Sequence, residues 1–363
     1  MSKICFFVPC YLFEYNRGGA ELQAWLISQI IEEVHEVFFI SLQPFKCQTL
    51  KNNHVRIYEI TPPKFPRIGN IWFLAKNQII QILKKENPDF IYQRVLYSGT
   101  GIAALYCMNT SCKLIWHVAN NPDVEKIKLS FSRRYLLDLI EKKYSVYGIK
   151  NADRIVGQTN FQNHLLEKNY NRNCDLILPN LHYLPNDEIV KGVNVKIVWV
   201  ANNKKAKQPD IFVWLADQFI SMENIQFIMI GRPNPAYQID SFNKLHPNLK
   251  ILGDLPLNKV NEILATSHIF VNTSLYEGFP NTFIQAWMRK VPVISLHADI
   301  DNFLKDRQFG FLSNTKQQLV QDINLLIKNK EMRVDMGIKA SKYAFNYYSI
   351  ESRKSEILEL FNF

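Results

Sequence analysis

Along almost the whole chain, short runs of β-branched and aromatic residues alternate with longer segments of helical period. Runs at 3–8, 36–41, 55–59, 89–93, 113–117 and 154–158 fall in the first half. Runs at 196–200, 225–230, 249–252, 268–272, 292–295 and 310–312 fall in the second. Their apolar character is nearly continuous, as it must be in strands buried on both faces. Between them, 21–33, 71–86, 210–219, 257–265 and 315–327 carry apolar residues at helical spacing. Strand–helix alternation of this kind requires right-handed crossovers and predicts an α/β fold built on parallel sheets.

At 363 residues the chain exceeds the usual size of one domain. A break is expected at 178–188, where two prolines and three turn-forming Asn or Asp residues stand between strand-like runs. The predicted units are residues 1–185 and a second unit from 186, with 196–200 opening it as 3–8 opens the first. Two doubly wound domains place ligands in the crevice outside the carboxyl ends of their strands. There is no tandem repeat and no low-complexity segment.

Hydrophobic residues make up 47% and charged residues 21%, which excludes a disordered, collagen-like or disulfide-scaffold chain. The uncharged stretch 95–112 contains Ser, Gly, Thr and Asn and reads poorly as a membrane span. The opening apolar run 4–13 is short and leads into Glu14 and Arg17-Gly18-Gly19, so neither a span nor a signal peptide is expected. Six scattered cysteines, Cys5, Cys10, Cys47, Cys107, Cys112 and Cys174, lack metal-ligand spacing and read as free thiols of a cytoplasmic protein. The formal charge of +10 is concentrated in the first half, with +7 in residues 1–182 against +3 in 183–363. This suits an anionic partner such as a membrane surface, a phosphorylated lipid or a nucleotide; it equally suits a Lys- and Asn-rich composition with no binding consequence.

The most informative stretch is 268–287. A buried strand ends at Asn272-Thr273, a Glu277-Gly278-Phe279-Pro280 loop follows, and a helix starts near Asn281. Pro280 suits the first turn of that helix, and the free N–H groups with the helix dipole form an anion site. Glu277 then stands at the crevice mouth, and Gln285, one turn inside, can reach hydroxyls of the same ligand. A plain helix start with an exposed Glu fits the same spacing. His117 ends an apolar strand, where such folds place ligands. Gly18 and Gly19 fit a permissive turn or a close backbone approach to a phosphate. The Lys-rich loop at Asn202, Lys204, Lys205 and Lys207 lies between a strand and a helix, open to phosphate or simply solvated.

Three other signals compete. Gly99-Thr-Gly101-Ile-Ala-Ala104, with Asp123 at about the spacing of 20 residues, fits a dinucleotide fingerprint, but Leu96-Tyr97-Ser98 separates it from its strand. Asp299-Ile-Asp301 is a two-residue metal-chelating pattern that reads better as a helix N-cap. The basic segment 127–150 could lie on a membrane, but Leu136, Leu137, Leu139 and Ile140 favour a packed helix with a solvated basic face.

Tyr276-Glu-Gly-Phe-Pro-Asn281 followed by Gln285 resembles the E-x7-E region of the family 4 retaining glycosyltransferases. The resemblance extends over nearly the whole chain. Gly18-Gly-Ala-Glu21 resembles the family's glycine-rich loop, and His117 its active-site His. Residues 152–159 and Leu178-Pro-Asn180 resemble the close of its first domain, 199–210 its donor-phosphate loop, and Pro292-Val-Ile-Ser295 the strand after the E-x7-E helix. Two positions depart: Gln285 replaces the second Glu, and Asn202 the Arg of a phosphate clamp in which Lys207 keeps the Lys place.

The resemblance implies the GT-B fold: two Rossmann-like domains facing each other across a cleft, 1–185 for the acceptor and 186–345 for the nucleotide sugar, with 346–363 returning to the first. It implies retaining transfer of a sugar from a nucleoside-diphosphate donor to an acceptor hydroxyl in cell-surface polysaccharide or glycolipid synthesis. Glu277 would orient the donor sugar, Gln285 hold the ribose, and His117 contact the sugar or place the acceptor. Lys207, with Lys204 or Lys205, and the backbone of Gly278, Phe279, Pro280 and Asn281 would stabilise the leaving diphosphate, so neither cofactor nor metal is expected. A glycan or lipid-linked acceptor, peripheral membrane contact and no nucleic acid partner complete the expectation. Rival readings are a nucleotide-sugar epimerase or hydrolase of the same fold, a non-catalytic nucleotide-sugar binder, and an NAD-dependent oxidoreductase.

Overall fold

The chain divides into two units, Met1–Asn180 with Lys354–Phe363, and Leu181–Arg353. The structure, a computed structural model, describes every residue except 10–17, 43–54, 62, 66–68, 128–133, 187, 233–245, 300–301, 303 and 306–308.

In the first unit the strands are β1 (Lys3–Val8), β2 (Glu36–Ser41), β3 (Arg56–Glu59), β6 (Phe90–Arg94), β7 (Lys113–His117), β8 (Arg154–Gly157) and β9 (Leu176–Ile177). Two-residue strands β4 (Lys64–Phe65) and β5 (Gly69–Asn70) form a separate antiparallel pair. The main sheet is parallel throughout, in the order β3-β2-β1-β6-β7-β8-β9. Its helices are α1 (Gly19–Glu32), α2 (Lys76–Glu86), α3 (Ser98–Cys107), α4 (Tyr135–Asn151) and α5 (Asn160–Tyr170). Ile4 to Phe7 are fully buried, which accounts for the unbroken apolar run: helices cover both faces of the sheet.

The second unit repeats the plan. Strands β10 (Val195–Val200), β11 (Ile225–Ile230), β12 (Leu249–Ile251), β13 (Ile269–Asn272), β14 (Val293–Ser295) and β15 (Gly310–Leu312) form a parallel sheet ordered β12-β11-β10-β13-β14-β15. Around it lie α6 (Pro209–Gln218), α7 (Leu257–Thr266), α8 (Asn281–Met288), α9 (Lys316–Lys328) and α10 (Lys330–Tyr348). In both sheets the chain winds outward from a central strand and then restarts on its other side. The two places of reversal, between β1 and β6 and between β10 and β13, are topological switch points, where open α/β sheets bind ligands.

Helix α11 (Ile350–Glu359) begins in the second unit and ends in the first. There Phe361 packs against Phe6, Phe90 and Tyr92 with ring centroids 6.4, 5.7 and 6.3 Å apart. Arg154 donates to the Glu359 and Leu360 carbonyls at 2.7 and 3.1 Å and lies over the Phe363 ring.

The packing of α3 and α4 bears on two signals of the sequence. Gly101 and Gly148 serve helix packing: a Cβ on Gly101 would stand 2.2 Å from the Tyr144 carbonyl oxygen, and one on Gly148 2.7 Å from the Thr100 carbonyl carbon, while a Cβ on Gly99 would meet the Tyr97 ring. At the N-terminus of α3, where a pyrophosphate would lie, Glu141 Oε2 accepts from the Ser98 N–H at 3.1 Å. The apolar residues of α4 are also not all inward. Leu136, Leu139 and Ile140 are 73%, 37% and 39% exposed, an exposed stripe at i, i+3 and i+4.

Among the described cysteines Cys5, Cys107 and Cys112 are free and buried and Cys174 is free and half-buried; Cys10 and Cys47 lie outside the described residues. Asp299 Oδ1 accepts from the Leu304 N–H at 3.1 Å, a local cap, while Asp301 lies outside the described residues. Among the described residues no helix is long and apolar enough to cross a membrane, and no group of three His, Cys, Asp or Glu could hold a metal ion.

Candidate active site

Glu277 and Lys207 meet at the switch point of the second sheet. Lys207 closes the loop after β10, and Glu277 lies in the loop after β13, the strand on the other side of the reversal. Lys207 Nζ is 2.6 Å from Glu277 Oε1. The same oxygen accepts from Ser274 Oγ at 2.6 Å and from Asn272 Nδ2 at 3.2 Å. The Glu277 side chain is 11% exposed and that of Lys207 27%, so both reach the surface without lying free on it.

The loop that carries Lys207 is held from beneath. Lys205–Lys207 form one 3-10 turn, and Gln208 follows at φ +47°, the left-handed region, before Pro209 opens α6. Thr273 Oγ1 lies 2.6 Å from the Lys207 carbonyl and 3.0 Å from that of Gln208, and it accepts from Trp199 Nε1 at 2.9 Å. The Leu275 N–H donates to the Ala206 carbonyl at 2.9 Å. The two loops are therefore stitched by backbone as well as by the ion pair. Gly231, at the end of β11, lets backbones approach closely: a Cβ there would lie 1.7 Å from the Ala201 carbonyl oxygen.

Asn202, Lys204 and Lys205 are exposed on the same loop. Gly278 is half-buried, and Phe279 is buried with its ring 5.1 Å from that of Tyr348, so the loop is anchored into the core. Pro280 occupies the cap position of α8 at φ −73°, one residue earlier than a first-turn proline, and Asn281 is the first helical residue. Gln285 lies one turn inside and is 4% exposed.

Sequence reading overlooked Asn272, Thr273 and Ser274, although an Asn-Thr-Ser run closing an apolar strand is a legible signal. It also overlooked His182, whose Nε2 is 3.1 Å from Asn281 Oδ1. The His182 N–H donates to the Tyr348 carbonyl, and its carbonyl accepts from the Ile350 N–H, both at 3.0 Å, which ties the start of α8 to the α10–α11 junction. Burial lowers the His182 pKa to about 4.

His117 lies enclosed at the end of β7. Its ring is 0% exposed, with Nδ1 2.7 Å from the Tyr92 hydroxyl and 3.1 Å from Arg94 Nη1, and Nε2 3.1 Å from the Leu178 carbonyl. A carbonyl only accepts, so Nε2 carries the proton and Nδ1 is the acceptor. Burial, with Arg94 adding to it, pushes the imidazole well below its ordinary range. No ring nitrogen is left for a ligand; His117 ties the ends of β6 and β7 to the segment that leaves the first unit. Gly18 caps α1 in an extended conformation, and a Cβ on it would lie 1.9 Å from Glu21 Oε2, so the small residue makes room for a carboxylate at that helix start. Gly19 opens the helix itself.

Residues 194–329 match the family model for glycosyl transferases group 1. An uncharacterized glycosyltransferase of Methanocaldococcus jannaschii is 24% identical over 383 residues, covering 88% of each chain. A poly(ribitol-phosphate) alpha-N-acetylglucosaminyltransferase of Staphylococcus aureus is 26% identical over 165 residues, 43% of this chain and 33% of that one. Among solved structures, Anabaena HepE in complex with UDP and glucose superposes with a TM-score of 0.74 at 17% identity, covering 99% of both chains. Over 194–329, a segment that contains both loops that meet at Lys207 and Glu277, the chain is similar to the glycosyl transferases group 1, and over its whole length it has the two-domain GT-B fold.

Proposed function

We propose that the chain is a retaining glycosyltransferase that moves a sugar from a nucleoside-diphosphate donor to an acceptor hydroxyl in the synthesis of a cell-surface glycan. The observation that carries this reading is the Lys207–Glu277 pair at the reversal of the second sheet. A Lys ammonium has three donors; Glu277 takes one and two remain for diphosphate oxygens. Lys204, Lys205 and the first N–H groups of α8 add positive potential on the same side. Fixed charge of this kind stabilises the departing diphosphate, so the reaction is assigned no metal. Asn202 lies on the same loop and can donate to the donor from its amide.

Glu277, held by three donors, is fixed in orientation and accepts hydroxyls of the donor sugar. Gln285 is assigned the ribose hydroxyls. In the step itself the bond from the anomeric carbon to the diphosphate oxygen breaks and the acceptor oxygen attacks from the same face. The acceptor proton passes to a leaving phosphate oxygen. The UDP in the HepE structure makes a uridine nucleotide the first donor to try.

The exposed Leu136, Leu139 and Ile140 with Lys143 on the same face of α4 support peripheral contact with an anionic membrane, where a lipid-linked acceptor would be met. Co-sedimentation with anionic but not neutral vesicles, lost in Leu136→Glu/Ile140→Glu, tests this.

The deciding experiment for the reaction is a thermal-stabilisation screen of nucleoside diphosphates, followed by nucleotide release from UDP- and GDP-sugars with and without mixed acceptors, in chelator. Acceptor-dependent release with retained anomeric configuration is expected. Release without acceptor marks a hydrolase or epimerase, tight binding without turnover marks a carrier, and loss of activity in chelator overturns metal independence.

A further inference from the structure

A cavity of about 450 Å³ lies wholly within the first unit, beside the carboxyl ends of β6 and β7. It is within the range of sites that enclose small ligands. Part of the lining is aromatic: Trp72 meets Tyr97 edge-on with ring centroids 6.1 Å apart. Asp123, Asp138 and Glu141 also line it. Asp138 is paired with Arg134 at 3.3 Å, while Lys142 supplies the other cation.

Two of these acids are built in rather than solvated. Asp123 is 5% exposed and accepts from the Ala119 and Asn120 N–H groups at 2.8 and 3.3 Å. Burial raises its pKa to about 6, against the pull of those backbone donors. Glu141 gives Oε2 to the Ser98 N–H, but its Oε1 is buried and has no hydrogen-bond partner. A buried acceptor left without a donor is costly, and Glu141 also lines the cavity.

A lining that combines an aromatic edge with carboxylates selects by chemistry. With Arg134 paired to Asp138, Asp123 and Glu141 outnumber Lys142, which disfavours phosphate and carboxylate ligands. A sugar ring presents C–H groups to Trp72 and O–H or N–H donors to Asp123 and Glu141. We propose that this cavity binds a neutral or amino-bearing saccharide, and that the glycan taken up by the first unit is of that class rather than a polyol phosphate. The proposal rests on the glycosyltransferase reading for the identity of the partner but not for the chemistry of the pocket.

The test is calorimetric titration of the full chain with a neutral gluco-oligosaccharide, a glucosamine oligosaccharide and a glycerol-phosphate oligomer, with UDP titrated on the same samples. One or both saccharides should bind, and the phosphate oligomer should neither bind nor compete. Trp72→Ala should weaken saccharide binding by about tenfold or more and leave UDP binding unchanged. Glu141→Gln, nearly isosteric and still able to accept from Ser98, should weaken it by about threefold to tenfold, and serves if Trp72→Ala fails to fold. Preference for the phosphate oligomer, absence of saccharide binding, or affinities within twofold of wild type in every variant that folds would overturn the proposal. Loss of UDP binding in the wild type would instead count against the enzymatic reading alone.

Discussion

Lys207 Nζ and Glu277 Oε1 stand 2.6 Å apart although 70 residues separate them in the chain. Neither residue needs the other for folding: Glu277 keeps Ser274 and Asn272, and the Lys207 backbone keeps Thr273. Removing either side chain should therefore cost function more than stability. Glu277→Gln should lower turnover by about 10²–10³ with a near-normal unfolding midpoint. Lys207→Met should weaken nucleoside-diphosphate binding by about tenfold or more, since a charge-assisted contact is lost. In a double-mutant cycle on turnover the effects should fall short of additivity. Additive effects, or an unchanged rate in Glu277→Gln, would detach the pair from the reaction.

Thr273 sits between the core and that pair, linking Trp199 Nε1 to the Lys207 and Gln208 carbonyls. Thr273→Val keeps the volume and removes the hydroxyl. Trp199 Nε1 is then buried without a partner, at a cost of about 1–3 kcal/mol. The left-handed Gln208 loses a tether as well. Donor KM should rise while acceptor KM stays constant. A variant as stable as wild type in urea, or an unchanged donor KM, would mean that the loop is held by backbone alone.

The strands were legible to within about a residue because burial on both faces makes each one a continuous apolar run, as 3–8 and 225–230 show. The approach of Lys207 to Glu277 was legible only as an expectation that both loops serve one ligand, since no local pattern encodes a contact across 70 residues. The burial of His117 was not legible, because strand position tells which end of the sheet a residue occupies but not whether its ring is covered. Residues 99–104 carried a rival dinucleotide signal because glycines set by local packing, such as Gly101 against Tyr144, satisfy the same fingerprint. Alternation could not reveal that Leu136, Leu139 and Ile140 face outward, because an apolar stripe looks the same whether or not a neighbour covers it.

His182 gives the second unit a pH response. Its folded pKa of about 4 lies below its ordinary 6.5, with burial the largest cause. As pH falls through 6.5 the unfolded chain takes up a proton that the folded one refuses until about 4. Stability is thus complete above that window and declines within it, by up to about 3 kcal/mol from this group. His268, also held at about 4 mainly by burial, adds in the same direction. Urea unfolding at pH 7.5, 5.5 and 4.5 should show His182→Gln losing less stability on acidification than wild type. Equal slopes would exclude His182 as a source.

The last prediction concerns the helix pair that frames the saccharide pocket. A Cβ on Gly101 would stand 2.2 Å from the Tyr144 carbonyl oxygen and 2.7 Å from its carbonyl carbon, both backbone atoms of α4 that cannot rotate away. Gly101→Ala must push α3 and α4 apart, costing about 1–3 kcal/mol as overpacking does. The same movement draws Glu141 from the Ser98 N–H, so saccharide affinity should fall together with the urea midpoint of the first unit. Nucleotide affinity, which belongs to the second unit, should not change. A dinucleotide role for 99–104 makes the opposite forecast: measurable NAD binding in the wild type that disappears in the variant at little cost in stability. The two outcomes separate a packing glycine from a phosphate-binding one in a single pair of titrations.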